Sequence, residues 1–152
     1  VFDLGCGLKL KVLYTPGHSR GSLSILLLGY NVLFSGDAIP VPGELPIYED
    51  VLASVASIKK LKAVKDIRFL LSSWDEPRKG TAAYERMDAG LEYLQRVHDA
   101  VKRCSQQSSD PDPQKLSECV LQDLGLPPGL ANPLVARTFA AHLSVRDQKV
   151  II

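Results

Sequence analysis

A change in the spacing of apolar residues near residue 49 constrains the fold of this chain more than any other feature. Before it, apolar residues alternate with polar ones or run together over short segments, which is typical of β-strands. After it, they recur at the three- and four-residue spacing of amphipathic helices. The sequence therefore predicts an α/β (α+β) chain in which most strands precede most helices.

Four short strands are predicted. Residues Leu8 to Tyr14 alternate, which indicates one buried face. Residues Leu23 to Leu28 form a nearly continuous apolar run, typical of a strand covered on both faces. Residues 32–35 are interpreted as the returning strand of a hairpin, and residues 67–71 as a later strand.

Helices are predicted around residues 51–61 and in three segments after residue 80. The longest begins at Thr81, which is expected to be its N-cap, and ends near Arg103. Asp112 and Asn132 are each followed by a proline, a pattern that opens helices. Residues 105–112 are expected to be a polar linker, and residues 145–152 either a strand or a loose tail.

The composition limits the class of protein. The 152 residues are 45% hydrophobic and 23% charged, which is typical of a soluble globular domain with its own core. A net charge of +1 argues against a nucleic-acid or membrane-surface partner. The three cysteines have no paired spacing, which favours reduced thiols and a cytoplasmic location.

Two polar residues flank the predicted hairpin. His18 follows a proline and a glycine in a loop, where it could be a metal ligand, a base or an ordinary turn residue. Asp37 follows a strand and a glycine, as a turn aspartate or a site carboxylate. Because the hairpin strands are antiparallel, both residues are expected at one end of the sheet. His98 and His142 are interpreted as half-buried helix residues, each hydrogen-bonded to a neighbour.

The loop TPGHSRGS at residues 15–22, followed by LFSGDA at residues 33–38, resembles the metallo-β-lactamase superfamily. The helix, strand and loop that follow keep the family order, so the resemblance covers roughly residues 8–80. The main signature of the family, H-x-H-x-D-H, is absent from the sequence. The resemblance therefore implies that residues 1–80 are the C-terminal half of an αββα sandwich, and that residues 81–152 are a helical extension packed on it.

The resemblance also implies a chemistry. Members bind one or two zinc ions, or iron or manganese, and a metal-bound hydroxide attacks an ester, thioester, amide or phosphodiester in a small-molecule substrate. In that scheme His18 binds the first metal and Asp37 bridges both. A catalytic zinc usually has three protein ligands. We therefore expect this chain to bind zinc weakly and to be inactive alone, whereas the complete protein would be a hydrolase.

Trp74 stands where the family usually has its last histidine ligand. An indole offers only a donor N–H, so Trp74 is interpreted as filling the vacated pocket, with Asp75 or Glu76 as alternative ligands. Ser19 and Ser22 are further candidate pocket residues.

Two partners and two other functions stay open. A half-sandwich leaves one face of its sheet uncovered, so we expect it to be covered by the C-terminal helices, by a second copy in a homodimer or by a missing N-terminal half. The chain could instead be a non-catalytic, self-associating scaffold that retains the fold. It could also be a small-ligand binding module built on Trp74 and residues 40–46.

Overall fold

A computed structural model describes residues 1–106, 112–148 and 152. Its mixed α/β fold, with a six-stranded sheet and four described α-helices, confirms the predicted fold class. The strands lie side by side in chain order: β1 (Phe2–Gly5), β2 (Leu8–Tyr14), β3 (Leu23–Leu28), β4 (Val32–Gly36), β5 (Phe69–Ser72) and β6 (Arg78–Lys79). Neighbours are antiparallel except β4 and β5, which are parallel. That parallel pair is possible because a helix crosses between them.

The helices are α1 (Val51–Lys62), α2 (Thr81–Ser105), α3 (Pro113–Asp123) and α4 (Pro133–Leu143). The side chains of Asp112 and Asn132 accept backbone N–H bonds at the starts of α3 and α4, as predicted. Thr81 is not a cap. It is the first helical residue of α2, and Gly80 occupies the cap position with φ 52° and no side-chain hydrogen bond. None of the described helices is both long and apolar enough to cross a bilayer.

Two buried clusters make up the core, and α2 takes part in both. The first lies between the sheet and the helices α1 and α2; it includes Leu33, Ile58 and Met87. The second lies between α2, α3 and α4, and it includes Val101 and Phe139. The molecule therefore has three layers: the sheet, then α1 and α2, then α3 and α4. Because α2 belongs to both cores, packing is continuous across the predicted domain boundary at residue 80.

The face of the sheet that points away from the helices is apolar. Strand side chains alternate, so the neighbours of buried Leu26, Leu33 and Leu70 lie on this opposite face. Its residues are half-buried or exposed, and we call them the open face: Leu10, Val12, Ile25, Leu27, Val32, Phe34, Phe69 and Leu71. The prediction that β3 is covered on both faces was therefore wrong for this chain, since its two faces differ in burial.

The cysteines also differ from the prediction. Cys104 of α2 and Cys119 of α3 form a disulfide, and only Cys6, which is exposed, is free. Spacing along the chain contained no sign of this pair because packing of the two helices brings the cysteines together. The disulfide removes the observation on which a cytoplasmic location rested.

Two predicted segments lie partly outside the described residues. Residues 107–111 of the predicted linker and residues 149–151 of the predicted tail lie outside the described residues. Residues 144–147 form turns rather than a strand.

Candidate metal centre and adjoining pocket

The loop that carries His18 is fixed against the start of α1. Gly17 has φ +141°, and a Cβ added there would lie 2.3 Å from the hydroxyl oxygen of Ser54. Its carbonyl accepts the N–H groups of Glu49 and Asp50, at 2.7 Å and 3.1 Å. A glycine is therefore required at position 17 both for its backbone angle and for the close approach of the helix.

The hydrogen bond of His18 determines which ring nitrogen is free. Its Nδ1 lies 2.8 Å from the carbonyl oxygen of Ile47, and a carbonyl can only accept. Nδ1 therefore carries the hydrogen, and in the neutral ring Nε2 keeps its lone pair. Nε2 lies 4.0 Å from Oδ2 of Asp37, with both side chains partly exposed. The structure thus brings His18 and Asp37 to the same end of the sheet.

Trp74 orients Asp37. The indole Nε1–H donates to Oδ1 of Asp37 at 3.1 Å, which leaves Oδ2 toward His18. The backbone N–H of Ser73 donates to the carbonyl of Gly36 at 3.0 Å, so the end of β5 holds the Trp74 loop beside the end of β4. Trp74 is 89% exposed and does not fill a vacated pocket. It forms part of the rim of the site instead.

The other predicted pocket residues lie away from this pair. Asp75 pairs with Arg78 at 2.6 Å and with Arg86 at 2.7 Å. Burial alone raises the pKa of the Asp75 carboxyl, but hydrogen bonds from these two arginines outweigh it and hold the pKa below its ordinary value. Glu76 is exposed. Neither carboxylate lines the cavity that opens beside His18, which is described below.

Ser19 and Ser22 stabilise the histidine loop from within. Their hydroxyl oxygens lie 2.9 Å apart, and the backbone N–H of Ser19 also donates to Ser22. Ser19 lines a second cavity, whose wall also includes Arg20 and, from α4, Arg137. The structure therefore does not place the two serines with His18 and Asp37 in one pocket.

A cavity of about 390 Å³ opens beside His18 and Asp37. Most of its wall comes from the segment between β4 and α1. This segment includes residues 40–46, which one of the alternative predictions assigned, with Trp74, to a small-ligand binding module. Residues that line it are His18, Asp37, Ala38, Ile39, Pro40, Val41, Glu44, Leu45, Ile47, Tyr48, Ser54, Ser73 and Trp74. Which side chains of residues 38–48 turn inward was not predicted, because a loop has no periodic pattern that reveals this.

His18 and Asp37 fit zinc by their chemistry but not by their number. Imidazole nitrogen and carboxylate oxygen are both zinc donors, and two donors of one tetrahedral zinc lie about 3.4 Å apart. The observed 4.0 Å requires only a small movement of two partly exposed side chains. However, no group of three or more histidine, cysteine or carboxylate side chains with ligand geometry occurs among the described residues. This chain therefore supplies an incomplete ligand set.

The remaining histidines form a buried chain of hydrogen bonds that reaches the cavity wall. His98 and His142 are fully buried, not half-buried as predicted. His98 Nε2 lies 2.9 Å from the Gln148 carbonyl, so this nitrogen donates and Nδ1 of His98 must accept. His142 then donates from Nδ1 to His98, at 3.3 Å, and accepts at Nε2 from the hydroxyl of Tyr48, at 2.6 Å. All hydrogen bonds in this chain therefore point the same way.

Comparison with known proteins agrees with the fold and the motifs. Residues 2–72 match the family described as the metallo-beta-lactamase superfamily. A metallo-beta-lactamase family protein from Thermus thermophilus has a TM-score of 0.67 and 20% identity, covering 91% of this chain and 44% of that one. A metallo-beta-lactamase from Pontibacter korlensis has a TM-score of 0.53 and 18% identity, covering 62% of this chain and 44% of that one.

The segment that matches the metallo-beta-lactamase superfamily carries β1 to β5, His18 and Asp37. The chain spans less than half the length of these two solved structures.

Proposed function

We propose that this chain is part of a zinc-dependent hydrolase in which His18 and Asp37 bind the metal. Zinc is the proposed metal because both donor types suit it. Since a catalytic zinc usually has three protein ligands, the other ligands would come from outside the described residues, from a further half of the domain. The observation that carries the proposal is the free Nε2 of His18, which the Ile47 carbonyl directs toward Asp37.

Each residue of the site has a separate task in this proposal. The Ile47 carbonyl fixes the ring of His18 and the position of its hydrogen, the usual arrangement for a metal-binding histidine. Trp74 occupies one oxygen of Asp37 and so presents the other. When bound, zinc would lower the pKa of a water molecule and polarise a carbonyl oxygen of the substrate. The adjoining cavity would position a small-molecule substrate.

Zinc titration of the chain by calorimetry tests the ligand assignment. We expect weak binding to the unmodified chain and at least a tenfold loss of affinity in both His18→Ala and Asp37→Asn. Asp66→Asn is the matched control because Asp66 is an exposed aspartate that does not line the cavity beside His18. Zinc binding that is equal in all four proteins would contradict the assignment.

A second candidate function is a non-catalytic scaffold that keeps the fold. The incomplete ligand set and the open face favour it. It predicts that His18→Ala changes neither stability nor self-association, and that a chelator has no effect on thermal unfolding. A longer protein that contains this chain and binds zinc stoichiometrically with esterase turnover would rule out this function.

A further inference from the structure

We propose that the cavity beside His18 and Asp37 binds an uncharged, apolar group of the substrate, such as the alkyl or aryl part of an ester, thioester or amide. Its role in catalysis rests on the proposed function. Binding of the apolar group does not depend on the proposed function, because the residues that line the cavity belong to this chain. The inference narrows the substrate class to molecules that carry an uncharged, apolar group beside the scissile bond.

The charge of the wall excludes an anionic group. Six neighbouring positions are apolar: Ala38, Ile39, Pro40, Val41, Leu45 and Ile47. The acidic residues of the lining are Asp37 and Glu44, and no lysine or arginine lines the cavity. In the chain without bound metal, a phosphate placed here would lose water, gain no lysine or arginine and face two carboxylates, each of which is unfavourable.

Three polar groups of the wall segment are already paired with the helical extension. The carbonyl of Pro40 accepts from Arg86 at 2.8 Å, and the carbonyl of Glu44 accepts from the hydroxyl of Tyr93 at 2.6 Å. The Tyr48 hydroxyl is used by His142, at 2.6 Å. These groups therefore offer a ligand little hydrogen bonding, and the wall is apolar in its chemistry as well as in its residue types.

The same contacts make the cavity preformed. Besides holding Pro40 and Glu44, α2 approaches the loop so closely that a Cβ at Gly90 would lie 2.8 Å from Cγ2 of Ile39. From α4, the hydroxyl of Thr138 accepts from the Tyr48 N–H at 2.9 Å. The helices after residue 80 thus fix the wall that would contact substrate, so the extension would set specificity. At about 390 Å³ the cavity is within the usual range for ligand pockets and has space for roughly a dozen non-hydrogen atoms.

Fluorescence of Trp74 provides the test, because it is the only tryptophan and lies on the cavity rim. The chain is titrated with octanamide as the uncharged probe and with phenyl phosphate as the anionic probe. We expect a saturable change with octanamide and at least tenfold weaker binding of phenyl phosphate. Equal or tighter binding of phenyl phosphate would overturn the inference.

Two variants locate the binding site. Val41→Asp places a charge on the half-buried wall, and we expect at least a tenfold loss of octanamide affinity. Phe34→Ser removes an apolar side chain from the open face and should leave affinity unchanged. Circular dichroism checks that both variants are folded. If Val41→Asp is not, Val41→Phe replaces it with the same expected loss, because its larger side chain narrows the cavity without adding charge or a second tryptophan. An unchanged affinity in the wall variant, or a loss confined to Phe34→Ser, would place the probe elsewhere and overturn the inference.

The two proposals fail separately. Octanamide binding without any zinc binding would overturn the proposed function and support the pocket. Zinc binding that depends on His18, without octanamide binding, would overturn the pocket and support the proposed function.

Discussion

The three histidines differ in role because their hydrogen-bond partners differ. His18 gives one nitrogen to the Ile47 carbonyl and leaves the other free in a partly exposed site. His98 and His142 have partners at both ring nitrogens and are fully buried. Only His18 can therefore offer a lone pair to a ligand without breaking an internal hydrogen bond. From the sequence, the histidines could be distinguished only by their location, His18 in a loop and the other two in helices. Location correlates with the difference in role but does not cause it.

Burial of His142 predicts a pH dependence of stability. Desolvation, with a smaller contribution from neighbouring His98, lowers the pKa of His142 to about 3, against an ordinary value of 6.5. Between these values the unfolded chain binds a proton that the folded chain does not. The stability contributed by neutral His142 is therefore complete above pH 6.5 and is lost as pH falls toward 3, by up to about 1.4 kcal/mol per pH unit.

Urea unfolding measured from about pH 7.5 to 4, for the wild type and for His142→Leu, checks this expectation. The variant should be less stable at the upper end of this range, because it leaves the Tyr48 hydroxyl and Nδ1 of His98 without their partner. Its free energy of unfolding should also depend less on pH. Parallel pH profiles would show that the pKa of His142 does not differ between the folded and unfolded chain.

Gly17 predicts a link between backbone packing and the metal site. Gly17→Ala adds a Cβ that would meet Ser54 at 2.3 Å, at a positive φ. We expect the free energy of unfolding to fall by roughly 1–3 kcal/mol and zinc affinity to fall with it, because the His18 loop must move. Gly21→Ala is the control from the same loop, since nothing lies within 4 Å of its added Cβ. Equal effects of the two changes, measured by thermal unfolding and zinc titration, would refute this account.

At the scale of elements, long periodic segments were predictable and short irregular ones were not. Strands β2 to β5 and all four described helices were expected from apolar spacing and caps. Strand β1 was missed because all of its residues are exposed, and β6 because it has two residues. Both strands exist through pairing with a neighbour at the edge of the sheet, which no local pattern reports.

The disulfide between α2 and α3 gives a prediction at this scale. It closes a segment with a sequence separation of 15, and crosslinks of that length stabilise proteins by about 3 kcal/mol. Cys119→Ser should lower the free energy of unfolding by that order, and a reducing agent should do the same to the wild type. Cys6→Ser is the control, because Cys6 is free and exposed. If thermal unfolding is insensitive to reductant and to Cys119→Ser, the two thiols are not linked in solution.

At the scale of the whole molecule, the open face is the feature that indicates an interaction with a partner. Both helical layers lie on one side of the sheet. The helical extension therefore does not cover the other side. Apolar side chains there remain partly exposed, with Phe34 at 41%. Contiguous apolar surface of this kind usually marks an interaction site. We propose that a second copy or a further half of the domain covers it.

For this chain alone, we expect concentration-dependent self-association through the open face. Phe34→Glu should shift the chain toward monomer in sedimentation equilibrium, because a charge buried between two sheets lacks a partner. Leu134→Glu is the control, since Leu134 is exposed on α4, in the helical layer beyond α1 and α2. A wild-type chain that is monomeric at all concentrations would leave the homodimer without support.

Local patterns in the sequence were enough to predict the strand-then-helix order, the resemblance to the metallo-β-lactamase superfamily and the meeting of His18 with Asp37. These follow from local periodicity and from the geometry of one hairpin, which act over short separations. Four features became apparent only from the packed molecule: the disulfide, the buried pairing of His98 with His142, the ion pairs of Asp75 and the apolar wall behind the site. Each of these depends on contacts between residues far apart in the chain, and such contacts are set by how the layers pack rather than by any local pattern.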